Sequence, residues 1–229
     1  MNLLKKDIVS FFETLKKNPP PFKVKICPQY MHIPLALELA KSLQMEIGAQ
    51  NCHFENKGAF TGEISPEGLK DLGVSFTLVG HSERRTLFNE GNELLHHKIT
   101  SALKAGLEVV YCVGENLFER ENGLTDQVLS QQLSILKSEK IIIAYEPVWA
   151  IGTGKSATPQ MAEESHLFIK KFLRNKNLEL PVIYGGSVKP ENIAELWQMP
   201  NIDGFLVGGA SLSPKDFHSM VSTLAKIET

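Results

Sequence analysis

Short runs of branched and aromatic apolar residues alternate along this chain with longer stretches in which apolar positions recur every three or four residues. From Phe22 onward "FKVKICP" reads as a strand and Ile33 to Leu43 as a helix. "MEIGAQ" is a strand, and "SPEGLKDLG" a short helix with Ser65 as N-cap and Pro66 at its first position. The alternation continues through "SFTLVG" and Asn92 to Ala105, then "LEVVYCVG" and Asn116 to Leu136. It ends with "IIIAYE" and Pro159 to Arg174, "PVIYGG" and Pro190 to Trp197, and "GFLVGG" and Ser213 to Ile227. Ahead of all these, Leu4, Ile8, Phe11, Phe12 and Leu15 form a helical stripe with lysines between them, stopped by "NPPP".

Strands that alternate with helices of this length imply βαβ units and a parallel sheet. A closed parallel barrel needs eight strands, whereas seven are legible and the chain opens on a helix. The expectation is an α/β barrel in one domain over residues 1–229, incomplete at its N-terminus because the first strand is missing. No long Pro/Gly/Ser linker or low-complexity segment divides it.

Composition narrows the partners. With 24 basic and 26 acidic residues mixed along the chain and a net charge of −2, no basic face suits nucleic acid and no polybasic patch suits a membrane. No apolar run reaches the roughly 20 residues of a membrane span. Cys27, Cys52 and Cys112 are odd in number and widely spaced, which fits neither a disulfide framework nor a zinc site and points to a reducing compartment. A small molecule is the expected partner.

In a parallel barrel, chemistry gathers where strands end at their C-termini. Glu146 closes the run "IIIAY", and Pro147 stops the strand, so the carboxylate is held at a fixed backbone position. The following segment, Pro147, Val148, Trp149, Ala150, Ile151, Gly152, Thr153, Gly154 and Lys155, is bulky in the middle and permissive toward its end, as a water-excluding lid requires. Thr158 and Pro159 then start the next helix. "YGGSV" and "LVGGAS" end successive strands with bare backbone N–H groups suited to a phosphate. A lone Gly-Gly pair is more often just a turn; two in succession favour a site.

His81 directly follows a strand, with Ser82 read as the N-cap of a short helix, where the positive dipole end favours a neutral imidazole. A lone histidine is more often satisfied by a carbonyl, but this one shares the barrel mouth with Glu146 and the glycine turns. The remaining histidines, His32, His53, His96, His97, His166 and His218, lack metal-ligand spacing and are read as solvated or capping. Cys112 is read as a buried packing residue, since nothing activates it as a nucleophile.

Together "GAQN", "GAFTGE", "VGHSERR", "YCVGE", "AYEPVWAIGTGKSATP", "YGGSV" and "DGFLVGGASL" resemble triosephosphate isomerase from about Phe22 to the end. The resemblance implies a TIM-type (β/α)8 barrel that interconverts dihydroxyacetone phosphate and glyceraldehyde 3-phosphate, without cofactor or metal, as a cytoplasmic homodimer. It makes Glu146 the base and His81 the group that polarises the carbonyl oxygens, with Ser82, Glu83 and Cys112 in support. Gly152, Ser187, Gly208 and Gly209 would bind the phosphate, and Pro147 to Lys155 would be the lid. Residues 51–63 resemble the family's dimer loop, including Asn51, Thr61, Gly62 and Glu63.

One departure stands at the start. Family members open on a strand followed by Asn-x-Lys-Met-Asn, and here Met1-Asn2 matches only the end of that motif. Lys5 and Lys6 lie in the following helix and do not inherit the lysine's role. Three readings follow: a start codon placed too late, a truncated isomerase with residual activity, or a non-catalytic relative that binds phosphorylated metabolites. An aldolase-like or lyase barrel is disfavoured because no strand-end lysine is placed to form a Schiff base.

Overall fold

The computed structural model describes residues 1–43, 45–137, 140–151 and 157–227. Helix α1 (Lys5–Lys17) opens the chain, followed by β1 (Val24–Ile26), α2 (Ile33–Ala40), β2 (Met45–Ala49), α3 (Pro66–Asp71) and β3 (Phe76–Val79). Then come α4 (Ser82–Leu87), α5 (Asn92–Lys104), β4 (Glu108–Val113), α6 (Leu117–Glu121), α7 (Thr125–Leu133) and β5 (Ile141–Tyr145). Helix α8 (Pro159–Asn175), β6 (Val182–Tyr184), α9 (Ile193–Trp197) and α10 (Pro214–Ile227) complete the order, with 3-10 turns at Val148–Ala150 and Gly209–Leu212.

The strands form one parallel sheet in the order β1-β2-β3-β4-β5-β6. Because side chains alternate across a strand, the sheet has two apolar faces. Phe76, Leu78, Val110, Cys112 and Ala144 pack on one another on the inner face, with Cys27, Ile142, Ile183 and Leu206 against them. The other face, with Val109, Tyr111, Val113, Ile143, Tyr145 and Tyr184, packs against the helices. Helix α1 buries Ile8, Phe11, Phe12 and Leu15, and the Phe11 ring lies 5.6 Å from that of Phe217 on α10. Each such side chain contributes about 1.5–3 kcal/mol by leaving water.

The local start signals hold. Ser65 accepts a hydrogen bond from Gly68 N with Pro66 first in α3, and Thr158 accepts one from Met161 N with Pro159 first in α8. Three expectations need correction. The segment "GFLVGG" was expected as a seventh strand, but it makes a single parallel bridge between Phe205 and Tyr184. Tyr184 N bonds Gly204 O and Leu206 N bonds Tyr184 O, after which the chain curls into the turn at Gly209. A segment paired on one side to a three-residue strand has too few partners for a longer ladder. The helix expected over 116–136 is two helices, because Gly123 takes φ +69° between them. The helix expected from Pro190 starts only at Ile193. No helix among the described residues is long and apolar enough to cross a membrane.

Candidate active site

His81 and Glu146 emerge from the C-terminal ends of β3 and β5 and meet across β4. Glu146 N is fixed by Val113 O at 2.7 Å, continuing the β4–β5 ladder by one residue. Its carboxylate is 2% exposed, with Oε2 accepting from Ser82 N at 2.9 Å and Oε1 lying 3.2 Å from His81 Nε2. Oε1 has no partner of good hydrogen-bond geometry among the described residues, so the approach to His81 is a close contact and not an aligned bond. Burial lifts the Glu146 pKa above the ordinary glutamate value, opposed by His81 and by the Ser82 amide.

His81 was expected to precede the cap, with Ser82 as N-cap. The structure makes His81 itself the N-cap of α4: its Nδ1 accepts from Glu83 N at 3.3 Å, while Ser82 is the first helical residue. Ser82, as the first helical residue, has an amide that no carbonyl of the helix takes, and it gives that amide to Glu146. An Nδ1 that accepts is unprotonated, so the single proton of a neutral imidazole sits on Nε2, facing Glu146. The Glu83 carboxylate, 73% exposed, comes no nearer than 3.8 Å to Nδ1. It therefore touches the site through its backbone amide more than through its charge.

Cys112 is fully buried on the inner face, where desolvation, with Glu146 nearby, holds its thiol well above the ordinary range. A protonated buried thiol packs and does not attack, as its sequence context suggested. Beyond Glu146, Pro147 leads into the turn Val148–Ala150, and Ala150 is buried while Ile151 is half-buried. Gly152, Thr153, Gly154 and Lys155, expected in the lid, lie outside the described residues.

The structure adds a residue to which the sequence reading gave no role. Glu115, fully buried after β4, accepts from Trp149 Nε1 at 2.9 Å and from Tyr145 Oη at 3.1 Å, with Ser165 Oγ donating to that same Oη. Burial raises the Glu115 pKa, and these donors oppose it. Trp149 is thus tethered to the end of β4. The signal available beforehand was an acid ending an apolar run, the same signal that singled out Glu146.

Ser187 is half-buried and its carbonyl accepts from Asn192 Nδ2 at 2.8 Å. Gly208 and Gly209 are exposed, and a Cβ built on either would meet nothing within 4 Å. These turns lie at the same end of the sheet as His81 and Glu146. Asn51 is buried at the root of the loop 51–64, where its side chain accepts from Lys98 Nζ at 2.8 Å and its carbonyl accepts from Tyr30 Oη. His53 N bonds Ile64 O at 2.8 Å and closes that loop, leaving Thr61, Gly62 and Glu63 exposed at its tip, with Gly62 at φ +91°.

Two histidines read as solvated or capping are corrected: His32 is buried, and His166 is wholly inaccessible between Tyr145 and Tyr184. Neither lines the site. A cavity of about 520 Å³ lined by Lys170, Arg174, Glu179 and Asp203 sits at the opposite, N-terminal end of β6 and has no part in this chemistry. A smaller one of about 80 Å³, near the site's end of the sheet, is lined by Asn2, Cys27, Gln29, Gln50 and Leu212.

A buried base, an imidazole that presents N–H, and exposed glycine turns at one sheet end suit proton transfer next to a carbonyl on an anionic substrate. The sequence model of the triosephosphate isomerase family matches residues 1–224. The chain is similar to the triosephosphate isomerase of Pelodictyon phaeoclathratiforme, 46% identical over 87% of this chain and 83% of that protein. It is 47% identical to that of Carboxydothermus hydrogenoformans over 86% and 84%, and 41% identical to that of Aquifex aeolicus over 96% and 95%. With that match laid over a parallel β/α sheet, the chain belongs to the triosephosphate isomerase family, and is by that kinship an isomerase of the (β/α)8 barrel fold.

Proposed function

We propose that this chain interconverts dihydroxyacetone phosphate and D-glyceraldehyde 3-phosphate, with Glu146 as base and His81 as electrophile. The observation that carries the reading is the 3.2 Å approach of the buried Glu146 carboxylate to the Nε2 of an imidazole whose Nδ1 is already an acceptor. Glu146 takes a proton from C1 of the ketose, leaving an enediolate, and returns it to C2. His81 donates its Nε2–H to the carbonyl oxygen where negative charge develops and passes the hydroxyl proton between the two oxygens. Desolvation raises the basicity of Glu146, which suits removal of a weakly acidic C–H proton.

Ser187, Gly208, Gly209 and Gly152 present amides to the phosphate, and Pro147 to Lys155 closes over it. Ser82 holds the resting carboxylate, and Cys112 packs beneath it. The loop carrying Asn51, Thr61, Gly62 and Glu63 docks on a second copy, so that the working form is a cytoplasmic homodimer of single-domain subunits. The reaction needs no cofactor or metal, and belongs to glycolysis and gluconeogenesis. The lysine of the Asn-x-Lys motif has no counterpart among these 229 residues, so a chain of only these residues is expected to turn over about 100-fold to 1,000-fold more slowly than one that supplies it.

The test is isomerisation of glyceraldehyde 3-phosphate, coupled to reduction of the ketose product, for this chain and for Glu146→Gln. Turnover by the parent, lowered about 100-fold or more in the variant, supports the reading. Tight binding of a phosphate-bearing enediolate mimic with no turnover by the parent overturns it in favour of a binding protein.

A further inference from the structure

The reacting pair stands on strands that are not neighbours: His81 follows β3, Glu146 follows β5, and β4 runs between them. Backbone pairing ends at Val79–Tyr111 on one side, short of His81, whereas on the other it runs past Val113–Tyr145 through Glu146 N to Val113 O at 2.7 Å and Val148 N to Glu115 O at 3.0 Å. Past Val79–Tyr111, and beside the ladder at Glu146, something more than backbone pairing holds the gap between His81 and Glu146.

On one side that something is Arg85. Its Nε donates to Gly80 O at 2.9 Å, which is the carbonyl of the peptide that carries His81. One terminal nitrogen donates to Cys112 O and to Tyr111 Oη, both at 3.0 Å, and the other to Asn92 Oδ1 at 3.1 Å. A single planar guanidinium therefore spans the end of β3 and the end of β4. Gly80 sits at φ +77°, and a Cβ there would meet that guanidinium at 3.2 Å, so the strand end and the fork fit closely.

On the other side is Gln132 of α7. Its amide grips both polar groups of one residue, accepting from Gly114 N at 2.8 Å and donating to Gly114 O at 3.0 Å. Its own carbonyl accepts from Tyr111 Oη at 2.9 Å, joining the two grips through one phenol. Gly114 in turn lies flat against Glu146: a Cβ on Gly114 would stand 1.7 Å from Glu146 O. Gly114 and the base's backbone cannot move independently.

We infer that Arg85 and Gln132 are positioning residues of the isomerase reaction, forming a hydrogen-bonded brace across β4 that sets the separation of His81 and Glu146. Neither side chain bonds to the side chain of either reacting residue. The brace depends on the fork geometry of arginine, which the point charge of lysine does not reproduce. The inference rests on the proposed isomerase reading for its consequence in catalysis, while the brace itself is a matter of geometry.

The test uses Arg85→Lys, Gln132→Met and the double variant, each checked for folding by circular dichroism. Misplacing a reacting group by about 1 Å costs about 100-fold in rate, so each single variant is expected to lose kcat on that order with KM little changed. The double variant should lose no more than the worse single one, since both cut the same brace. In parallel, the ring ¹⁵N signals of His81 report its tautomer: one Nε2-protonated form in the parent, a mixture in Arg85→Lys. Arg85→Lys keeps the charge and most of the volume, and carries the test alone if Gln132→Met does not fold. Unchanged kcat with unchanged His81 signals overturns the brace, as do losses that multiply in the double variant. A parent without turnover whose His81 signals still shift in Arg85→Lys would sink the isomerase reading and leave the brace standing.

Discussion

Acidification should destabilise this protein through one histidine outside the reacting pair. His166 lies wholly buried on α8, its Nδ1 3.2 Å from Asn201 O and its ring edge-on to Tyr145. Loss of hydration pushes its pKa from 6.5 down to about 4, against the pull of the Asn201 and Val182 carbonyls and Asp203. In the unfolded chain the imidazole titrates near 6.5, so between the two values the unfolded state binds a proton that the folded state refuses. Stability is therefore fully present above 6.5 and falls as pH drops toward 4. A fall from 6.5 to about 4, at about 1.4 kcal/mol per pH unit, amounts to about 3 kcal/mol. In His166→Phe this loss should vanish, at a cost of about 1 kcal/mol at neutral pH for the Asn201 carbonyl left without its donor. Guanidinium unfolding of both proteins through this window reads the difference directly, and acid groups common to both cancel. Parallel stability curves for parent and variant would refute the argument.

Other perturbations follow from the same geometry. Gly114→Ala sets a Cβ 1.7 Å from Glu146 O, backbone that cannot rotate aside, and should lower thermal stability by about 1–3 kcal/mol or more together with activity. Lys98, 3% exposed, pairs at 2.6 Å with Glu90, itself 5% exposed and also held by Arg84. Lys98→Met should cost about 3 kcal/mol in chemical unfolding by stripping a buried carboxylate of a partner, and adding Glu90→Leu should recover part of it. The acid limb of kcat/KM should fall above the ordinary glutamate value of 4.5, because burial raises the Glu146 pKa; a limb at or below 4.5 in the pH profile speaks against Glu146 as base.

What the amino-acid order disclosed depended on how local the cause was. The starts of α3 and α8 were readable because Ser65 or Thr158, followed by proline, meets its capped amide within three residues. Glu146 and His81 were readable because each ends an apolar run beside a residue that breaks it. The cap of α4 was read one residue late because serine is the commoner capping residue, whereas here the His81 ring supplies the acceptor for Glu83 N; the bond from the Ser82 amide to Glu146, 64 residues away, was out of reach of any local reading. The burial of His166 was hidden because imidazole tolerates both water and core, and only the Tyr145 and Tyr184 rings around it decide. The Lys98–Glu90–Arg84 cluster reads in sequence as ordinary surface charge. The seventh strand failed to form a ladder for a reason no window of sequence contains, namely how few neighbours Phe205 has to pair with.

The uneven length of the ladders has a mechanical consequence. β4 and β5 are zipped from Val109–Ile141 through Val113–Tyr145, whereas β2 and β3 meet only at Gly48–Phe76 and Ala49–Thr77, and the strip after Gly204 holds on by one rung. Amide deuteration should therefore be slowest along the seam beneath Glu146 and quick around Gly208. On warming, such a molecule loosens from its margins inward; on the proposed reading, with the phosphate held at Gly208 and Gly209, KM should rise before kcat declines.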